Sequence, residues 1–223
     1  MLAKKLTFYF DFISPYAYFS WRKMDTFCKL HQLELTIQPV VFGKLLDHWG
    51  QLGPAEIPPK RELLLKYCYR YAKLHGFEMK GPKCHPFNSL NALRLSLREV
   101  SGENQSKVVS AIFEAGWSMG KDLGDLNVLT DILNSAGLNG QALADLAQQD
   151  ANKALLKTGT QAAIEKGVFG VPSMIIDDEL FWGNDQFEHM ALFARGEDFV
   201  VPNQFDEAIN RQRGIDRKKI TER

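Results

Sequence analysis

The start of the chain alternates between apolar and polar positions in two short segments. Residues 5–11 are rich in aromatic and β-branched side chains, which predicts a strand. Ser14 and Pro15 follow almost at once, and because serine before proline is typical of a helix start, we predict a helix over 15–31. Residues 33–41 alternate again and predict a second strand. The three elements form a strand–helix–strand unit, for which a right-handed crossover is expected.

Between residues 60 and 167 the apolar side chains recur at helical spacing, which predicts a run of helices. Three of the apolar stripes are Leu63, Leu64, Tyr67, Cys68, Tyr71 and Leu74; then Leu90, Leu93, Leu97 and Val100; then Val108, Val109, Ile112, Phe113 and Trp117. We interpret these stripes as core positions rather than as a cofactor-binding pattern. Residues 43–59 are rich in Gly and Pro instead, which predicts a loop with little regular structure.

Strand patterns return near the end of the chain. Residues 173–176 and 179–182 flank an acidic pair, which predicts a hairpin, and Asn184 or Asp185 is expected to cap a following helix. Neither end of the chain contains a complete sheet by itself, so a helical insertion that splits one α/β domain explains the order better than two sequential domains. We therefore predict a discontinuous domain, 1–42 with 168–223, around a helical insertion at 43–167.

Charge and cysteine content narrow the function classes. The 27 Lys and Arg residues balance 27 Asp and Glu residues, so nothing favours a nucleic acid or an anionic membrane as partner. We find neither a signal sequence nor an apolar stretch of membrane-spanning length. The three cysteines include no close pair, so we expect neither a disulfide framework nor a CxxC motif, and we expect a cytoplasmic location. The adjacent Cys84 and His85 lack a metal-ligand set and are interpreted as packing or surface-loop residues.

Two positions are candidates for chemistry. Ser14 lies at a predicted helix start, where free backbone N–H groups and partial positive charge favour an anion such as a thiolate. A hydroxyl there could donate a hydrogen bond to that thiolate, although a plain helix cap is the simpler explanation of this residue alone. Val171-Pro172 precedes the late strand, where a cis peptide would explain the proline and a trans one is commoner.

The two candidates belong to a longer pattern. It consists of Phe10-Asp11-Phe12-Ile13-Ser14-Pro15-Tyr16-Ala17-Tyr18, Pro54 with Pro58-Pro59-Lys60, Gly167-Val168-Phe169-Gly170-Val171-Pro172, and Phe181-Trp182-Gly183-Asn184-Asp185. Over essentially the whole chain, this pattern resembles the DsbA-like branch of the thioredoxin superfamily. Within it, the pattern is most similar to the family of 2-hydroxychromene-2-carboxylate isomerases and kappa-class glutathione transferases. The resemblance implies an α/β, thioredoxin-like fold that is interrupted by an all-helical insertion, and it implies a homodimer.

The resemblance also implies glutathione as the cofactor. The residues expected to contact glutathione are Ser14, Pro15, Tyr16, Gln51, Lys60, Val171, Pro172, Asn184 and Asp185. In this interpretation Ser14 takes the place of the first redox cysteine and binds the sulfur, while the backbone of Val171 pairs with the cysteinyl part before a cis-Pro172. Asn184 and Asp185 would hold the γ-glutamyl end. Lys60 and Gln51 would contact the tripeptide or the substrate, and the family usually has asparagine where Gln51 stands.

By analogy with the family, the expected reaction isomerises 2-hydroxychromene-2-carboxylate, or a related aromatic compound, to trans-o-hydroxybenzylidenepyruvate. Glutathione would act as a transient nucleophile and be regenerated. For the aromatic, anionic substrate we expect an aromatic cleft with a cation, with Tyr16, Phe42, Trp49, Lys44 and Lys60 as candidates. A kappa-like transferase or peroxidase, which consumes glutathione, is the closest alternative, and a non-catalytic binding module is the second. A thiol–disulfide oxidoreductase is disfavoured because Ser14 and Ala17 replace both redox cysteines.

Overall fold

The computed structural model describes residues 4–214, so the ends of the predicted discontinuous domain, 1–3 and 215–223, lie outside the described residues. The strands are β1 (Lys5–Phe10), β2 (Glu34–Pro39), β3 (Ser173–Ile176) and β4 (Glu179–Trp182). The helices are α1 (Pro15–His31), α2 (Phe42–Trp49), α3 (Pro58–Leu74), α4 (Leu90–Leu95), α5 (Arg98–Ser101), α6 (Gln105–Phe113), α7 (Leu126–Ser135), α8 (Gly140–Ala147), α9 (Asp150–Glu165), α10 (Phe187–Arg195) and α11 (Pro202–Ile209).

Over these described residues the strands form one sheet in the order β2-β1-β3-β4. Strand β1 pairs with β2 in parallel, and β3 is antiparallel to both β1 and β4. Because β1 is central, Leu6, Phe8 and Phe10 are completely buried. Helices α2–α9 lie between β2 and β3 in sequence. The predicted fold class is confirmed: this is an α/β, thioredoxin-like fold that contains a long helical segment.

The predicted helical stripes differ in how deeply they are buried. In the third stripe, on and after α6, every residue is buried. In the first stripe, on α3, Leu64 and Cys68 are buried, whereas Leu63 and Leu74 are 63% and 80% exposed. Treating the whole first stripe as core was therefore wrong. Helix α3 contacts the rest of the protein along a narrow side, so only residues on that side are buried.

The segment predicted as a loop at 43–59 contains helix α2 instead. Its backbone enters the helix with Phe42 N–H bonded to the buried Asp11 carboxylate, and Leu45 is fully buried beneath it. The Gly and Pro residues mark helix ends: Gly50 adopts φ +64° at the end of α2, and Pro54 and Pro58 stand in the first turns of the next two helical segments. Left-handed glycine caps and first-turn prolines are common at these positions, so the residues that suggested a loop delimit helices.

The start of the last sheet-packing helix also differs from the prediction. Helix α10 begins at Phe187 with Gln186 as its N-cap, so the expected cap by Asn184 or Asp185 was wrong. Asn184 is 6% exposed, and its side-chain amide is bonded to the Tyr67 hydroxyl instead. Because that side chain is engaged by another helix, residues 184–186 form a separate turn before α10.

Candidate active site

Ser14 is the N-cap of α1, as predicted, and it is almost completely buried. Its Oγ accepts a hydrogen bond from Ala17 N at 3.2 Å and donates one to the Val171 carbonyl at 3.3 Å. The hydroxyl has a single proton. A sulfur bound beside Ser14 would therefore compete with the Val171 carbonyl for that proton. The same hydrogen bond joins the start of α1 to the segment that enters β3.

The turn that precedes Ser14 is fixed by a buried carboxylate. Asp11 accepts hydrogen bonds from Ile13 N at 3.1 Å and from Phe42 N at 3.0 Å, while its backbone carbonyl accepts Ser14 N at 3.1 Å. Burial raises the pKa of the Asp11 carboxyl, and hydrogen bonds from Phe42, Ile13 and the Ser89 side chain oppose that shift. Asp11 thus links the start of α1 to the start of α2.

Two side chains from the helical segment hold the same turn. The Trp117 indole donates to the Phe12 carbonyl at 2.9 Å, and His85 Nε2 lies 2.9 Å from the Ile13 carbonyl. A carbonyl only accepts, so Nε2 carries a proton. Burial lowers the pKa of His85. The hydrogen bond to the Ile13 carbonyl opposes this shift and the nearby Arg61 adds to it, and the net lowering favours the neutral ring. The His85 Nδ1 atom is buried and has no hydrogen-bond partner among residues 4–214.

Sequence reasoning missed the position of His85. It grouped His85 with Cys84 as packing or surface-loop residues, whereas the imidazole lies beside the turn that carries Ser14. His85 and Ile13 are 72 residues apart in sequence, so no local pattern joins them. Asp11 belongs to the first quoted motif, but no role for its side chain was predicted.

The Val171–Pro172 peptide is cis, as the resemblance implies. Val171 is 7% exposed, and its carbonyl accepts the Ser14 hydroxyl. The preceding Gly170 lies directly beneath Trp182, since a Cβ on Gly170 would be 2.5 Å from the indole Nε1. The absence of a side chain at Gly170 therefore lets Trp182 from β4 pack over the backbone that enters β3.

On one side of Ser14 is a small cavity of about 210 Å³, which we call the apolar cavity. Its lining includes Ser14, Tyr16, Phe42, Leu46, Leu64 and His85. The walls come from the start of α1, from α2 and from the helical segment. This cavity can take a compact apolar or aromatic group next to the Ser14 hydroxyl.

A second cavity, of about 420 Å³, lies across Val171 and is called the polar cavity. Its lining includes Tyr16, Tyr67, Val171, Trp182, Asn184 and Asp185, so Tyr16 and Val171 line both cavities. Burial, followed by Cys68, Tyr67 and Asp185, raises the pKa of Tyr16 to about 12, which keeps its hydroxyl protonated at neutral pH.

The turn that presents Asn184 and Asp185 is held from two helices. The Lys23 ammonium on α1 donates to the Asn184 carbonyl at 2.8 Å, and the Asn184 amide nitrogen lies 3.3 Å from the Tyr67 hydroxyl on α3. Lys23 also lies 4.0 Å from the centre of the Phe187 ring. The Asp185 carboxylate is exposed and is therefore available to a ligand in the polar cavity.

The structure brings together seven of the residues predicted to contact a ligand. Those that line the two cavities are Ser14, Pro15, Tyr16, Val171, Pro172, Asn184 and Asp185. Phe42 lines the apolar cavity as well.

The other candidates lie outside the linings of both cavities. Gln51 and Lys60 are exposed, Lys44 is paired with Asp47 at 3.1 Å, and the Trp49 indole donates to the Val168 carbonyl at 3.1 Å. Their predicted contacts with glutathione or substrate stay predictions.

A wider groove, of about 650 Å³, lies between α1 and α6 and is lined by Trp21, Arg22 and Glu114 among others. It does not include Ser14 or Val171, so we place the candidate chemistry at the two smaller cavities. Residues 4–214 hold no group of three His, Cys, Asp or Glu side chains arranged to bind a metal. No helix within this range is long and apolar enough to cross a membrane.

A parallel strand pair, an antiparallel hairpin, and a helix-start serine facing a cis-proline define a thioredoxin-like protein. The family model for the DSBA-like thioredoxin domain matches residues 5–195, and the chain belongs to this family. It is 28% identical over 195 residues to 2-hydroxychromene-2-carboxylate isomerase of Sphingobium xenophagum, covering 86% of this chain and 98% of the relative.

Two further comparisons agree with the motif-based resemblance. Glutathione S-transferase kappa 1 of Rattus norvegicus is 24% identical over 212 residues, covering 88% of this chain and 93% of the transferase. The solved structure of a 2-hydroxychromene-2-carboxylate isomerase superposes with a TM-score of 0.77 at 23% identity, covering 93% of this chain and 100% of that one. The family resemblance inferred from the sequence is confirmed.

Proposed function

We propose that this protein is a glutathione-dependent isomerase of 2-hydroxychromene-2-carboxylate or a related aromatic substrate. The observation that carries the proposal is the buried Ser14 hydroxyl at the start of α1, which lines the apolar cavity and is bonded to Val171, a residue that lines both cavities. A tripeptide in the polar cavity would bring its sulfur to Ser14, and an aromatic group in the apolar cavity would then face that sulfur. The relatives named as isomerases support the same reaction class.

The lining of the polar cavity fits glutathione chemically. The exposed Asp185 carboxylate suits the α-amino group of the γ-glutamyl end. Val171 offers backbone groups beside Ser14 for the cysteinyl part, and Asn184 is held ready by Tyr67 and Lys23. These contacts support glutathione as the cofactor.

Bound glutathione would supply a thiolate that adds transiently to the conjugated substrate, permits rotation about a carbon–carbon bond, and leaves unchanged. Ser14 would donate a hydrogen bond to the sulfur and so favour its ionised form. The free N–H groups at the start of α1 would add partial positive charge at the same place. The apolar walls around Phe42 and Leu64 would position the aromatic ring and exclude water.

The direct test follows isomerisation of the chromene carboxylate to trans-o-hydroxybenzylidenepyruvate, with and without glutathione, while free thiol is titrated. We expect turnover only with glutathione and no loss of thiol. We expect Ser14→Ala to lower turnover at saturating glutathione by at least about tenfold, the scale of a hydrogen bond to a charged group. Ser106→Ala, on the exposed part of α6, is the matched control.

Ser14 also caps α1, so a second variant separates catalysis from folding. An Ala cap costs about 1 kcal/mol of stability, whereas a Gly cap costs only a few tenths. We expect Ser14→Gly to lose as much turnover as Ser14→Ala but to unfold at a higher urea concentration. Full turnover by either variant at saturating glutathione would contradict the role of Ser14.

The similarity to kappa transferases favours one other activity at the same site. A transferase or peroxidase would consume thiol as product forms, so thiol loss in the assay identifies it. If glutathione does not bind, or if Ser14→Ala changes none of the tested activities, a non-catalytic binding module is the better description. The homodimer stays a prediction of the resemblance, and the cytoplasmic location stays a prediction from the cysteine content.

A further inference from the structure

The chain continues beyond the family match in a segment whose residues are all exposed. The match to the DSBA-like domain ends at residue 195, and residues 198–209, which we call the arm, follow α10. Every residue of the arm is exposed, including all of α11. An isolated helix as short as α11 is marginal in water, so it needs a packing partner to be stable.

One side of the arm is apolar. Val201, Phe205 and Ile209 recur every four residues, so they lie on the same side of α11 and its N-cap. All three are exposed, and Phe199, just before the helix, is 80% exposed. Apolar residues that are gathered on one exposed side, rather than scattered, are typical of an interaction surface.

The charged residues of the arm are all acidic. They are Asp198, Asp206 and Glu207, and the arm contains no Lys or Arg. None of the three forms an ion pair within the described residues, whereas the preceding Glu197 is paired with Arg195 at 2.8 Å. The arm therefore presents apolar side chains together with negative charge, and it suits a surface that is both apolar and basic.

Helix α3 has such a surface. It carries five Lys or Arg residues and one Glu, and Lys66 is the cation that pairs with Glu62. Four of its exposed residues lie at i, i+4, i+7 and i+11 and so form one line along the helix, which we call the α3 stripe. The α3 stripe consists of Leu63, Tyr67, Arg70 and Leu74. Apolar side chains and positive charge are thus combined on α3, as apolar side chains and negative charge are on the arm.

The two surfaces are not joined within one chain. Helix α10 begins after the turn that Tyr67 holds and ends where the Phe193 carbonyl accepts the Lys4 ammonium, beside the start of β1. The arm therefore leaves the protein at the opposite end of α10 from the turn that the α3 stripe contacts. Both surfaces are exposed in the single chain, so each is available to a second copy.

We propose that the arm of one copy packs on the α3 stripe of a second copy, and that the second copy makes the same contact in return. The apolar side of the arm covers the apolar residues of the stripe, and its acidic residues lie among the α3 cations. A contact that is made twice about a two-fold axis closes into a dimer. Because Tyr67 belongs to the stripe and also lines the polar cavity, the arm of the second copy borders that cavity.

The first experiment measures association of the full-length protein by sedimentation velocity over a range of concentrations. We expect the wild type to form a reversible dimer. Leu74→Asp on the stripe and Phe205→Asp on the arm should each raise the dimer dissociation constant at least about tenfold, since every dimer loses the contact twice. Leu30→Asp is the control, because Leu30 is 73% exposed on α1 and lies outside both surfaces. All three variants replace exposed residues, so their circular dichroism should match that of the wild type.

The second experiment tests the charges. Raising NaCl from 50 to 500 mM should weaken the wild-type dimer severalfold, because salt screens exposed opposite charges. Arg70→Gln should weaken the dimer about threefold at 50 mM NaCl and should reduce its salt dependence. Lys157→Gln, on the exposed side of α9, is the matched control.

The third experiment locates the contact and separates exchange between copies from packing within a chain. The photo-crosslinking amino acid p-benzoylphenylalanine is placed at position 205, and unlabelled protein is mixed with ¹⁵N-labelled protein before irradiation. We expect mass spectrometry to find crosslinks from the arm to α3 peptides, between labelled and unlabelled chains. Crosslinks confined to one chain, or crosslinks to peptides outside α3, would overturn the proposal.

Two results of the first experiment would also overturn it. One is a wild type that stays monomeric at every concentration, and the other is a dimer whose dissociation constant is the same in Leu74→Asp, Phe205→Asp and Leu30→Asp. Because glutathione and substrate are absent from all three experiments, their outcomes are independent of the proposed isomerase activity.

Discussion

The two cavities that share Tyr16 and Val171 differ in what lines them. On the apolar side, the side chains of Asp11, Trp117 and His85 fix the turn before α1, and the walls are largely apolar side chains. On the polar side, Tyr67 and Lys23 hold the turn that presents the exposed Asp185 carboxylate. A rigid apolar wall suits a compact aromatic group, whereas a turn with an exposed carboxylate suits a charged peptide end.

This difference separates two kinds of expected defect. Substitutions on the apolar side should displace the turn that carries Ser14, and should therefore lower stability and turnover together. Damage to the polar side should change the affinity for glutathione and leave turnover at saturation nearly intact.

Asp11→Asn should destabilise the protein by about 2 kcal/mol, because an amide leaves one N–H donor without an acceptor where the carboxylate satisfied both. The measurement is urea unfolding, with Asp131→Asn on the exposed side of α7 as the control. Turnover per folded molecule should fall as well, since the turn positions Ser14. An unfolding midpoint equal to that of the control would show that Asp11 does not brace the apolar side.

Asp185→Asn should raise the KM for glutathione roughly tenfold, the scale of a hydrogen bond between charged groups, and change kcat less than twofold. Initial rates against glutathione concentration provide both constants. Asp178→Asn, at the exposed hairpin turn, is the matched control. A loss confined to kcat would mean that Asp185 acts on the reacting groups. The expectation that the polar side affects only the affinity for glutathione would then be wrong.

Tyr67→Phe should raise the KM for glutathione about threefold, because it removes one neutral hydrogen bond to Asn184 and leaves the ring in place. Tyr69→Phe is the control on the same helix, where the side chain is 55% exposed. Direct titration of glutathione should give a ratio of dissociation constants, variant to wild type, equal to the ratio of the KM values. If Tyr67→Phe matches Tyr69→Phe, the Tyr67 hydroxyl does not contribute to holding the polar turn.

The smallest effect concerns pH and belongs to the apolar side. The pKa of His85 is lower in the folded state than in the unfolded chain, where it is about 6.5. The unfolded chain therefore binds more protons below that pH, and the stabilisation that is present above about pH 6.5 is lost as the pH falls. Urea unfolding across pH 5–7.5 should show a shallower acid loss for His85→Gln than for wild type.

A Gln at position 85 can still donate to the Ile13 carbonyl, so the comparison isolates titration from the hydrogen bond. His189→Gln, on the exposed side of α10, is the control. Parallel pH profiles for wild type and His85→Gln would contradict the buried, neutral imidazole.

The sequence by itself determined the elements whose signals are local. The aromatic alternation of β1, the Ser14-Pro15 helix start and the β3–β4 hairpin were all predicted with nearly the observed bounds. Their order predicted one α/β domain split by a helical insertion, and the resemblance of the motifs implied that this domain is thioredoxin-like. Ser14 and Val171 were found as candidates because their motifs are contiguous and resemble those of a known family.

Only the tertiary structure decided which long-range partners surround those motifs. His85 reaches Ile13 across 72 residues, and Tyr67 takes the Asn184 side chain that the sequence suggested as a helix cap. Glycines and prolines between 43 and 59 delimit α2 because Leu45 packs into the core and Asp11 holds Phe42. Local propensity determines where a helix can start. Burial and hydrogen bonds between distant residues determine which of these possible helices form in the folded protein.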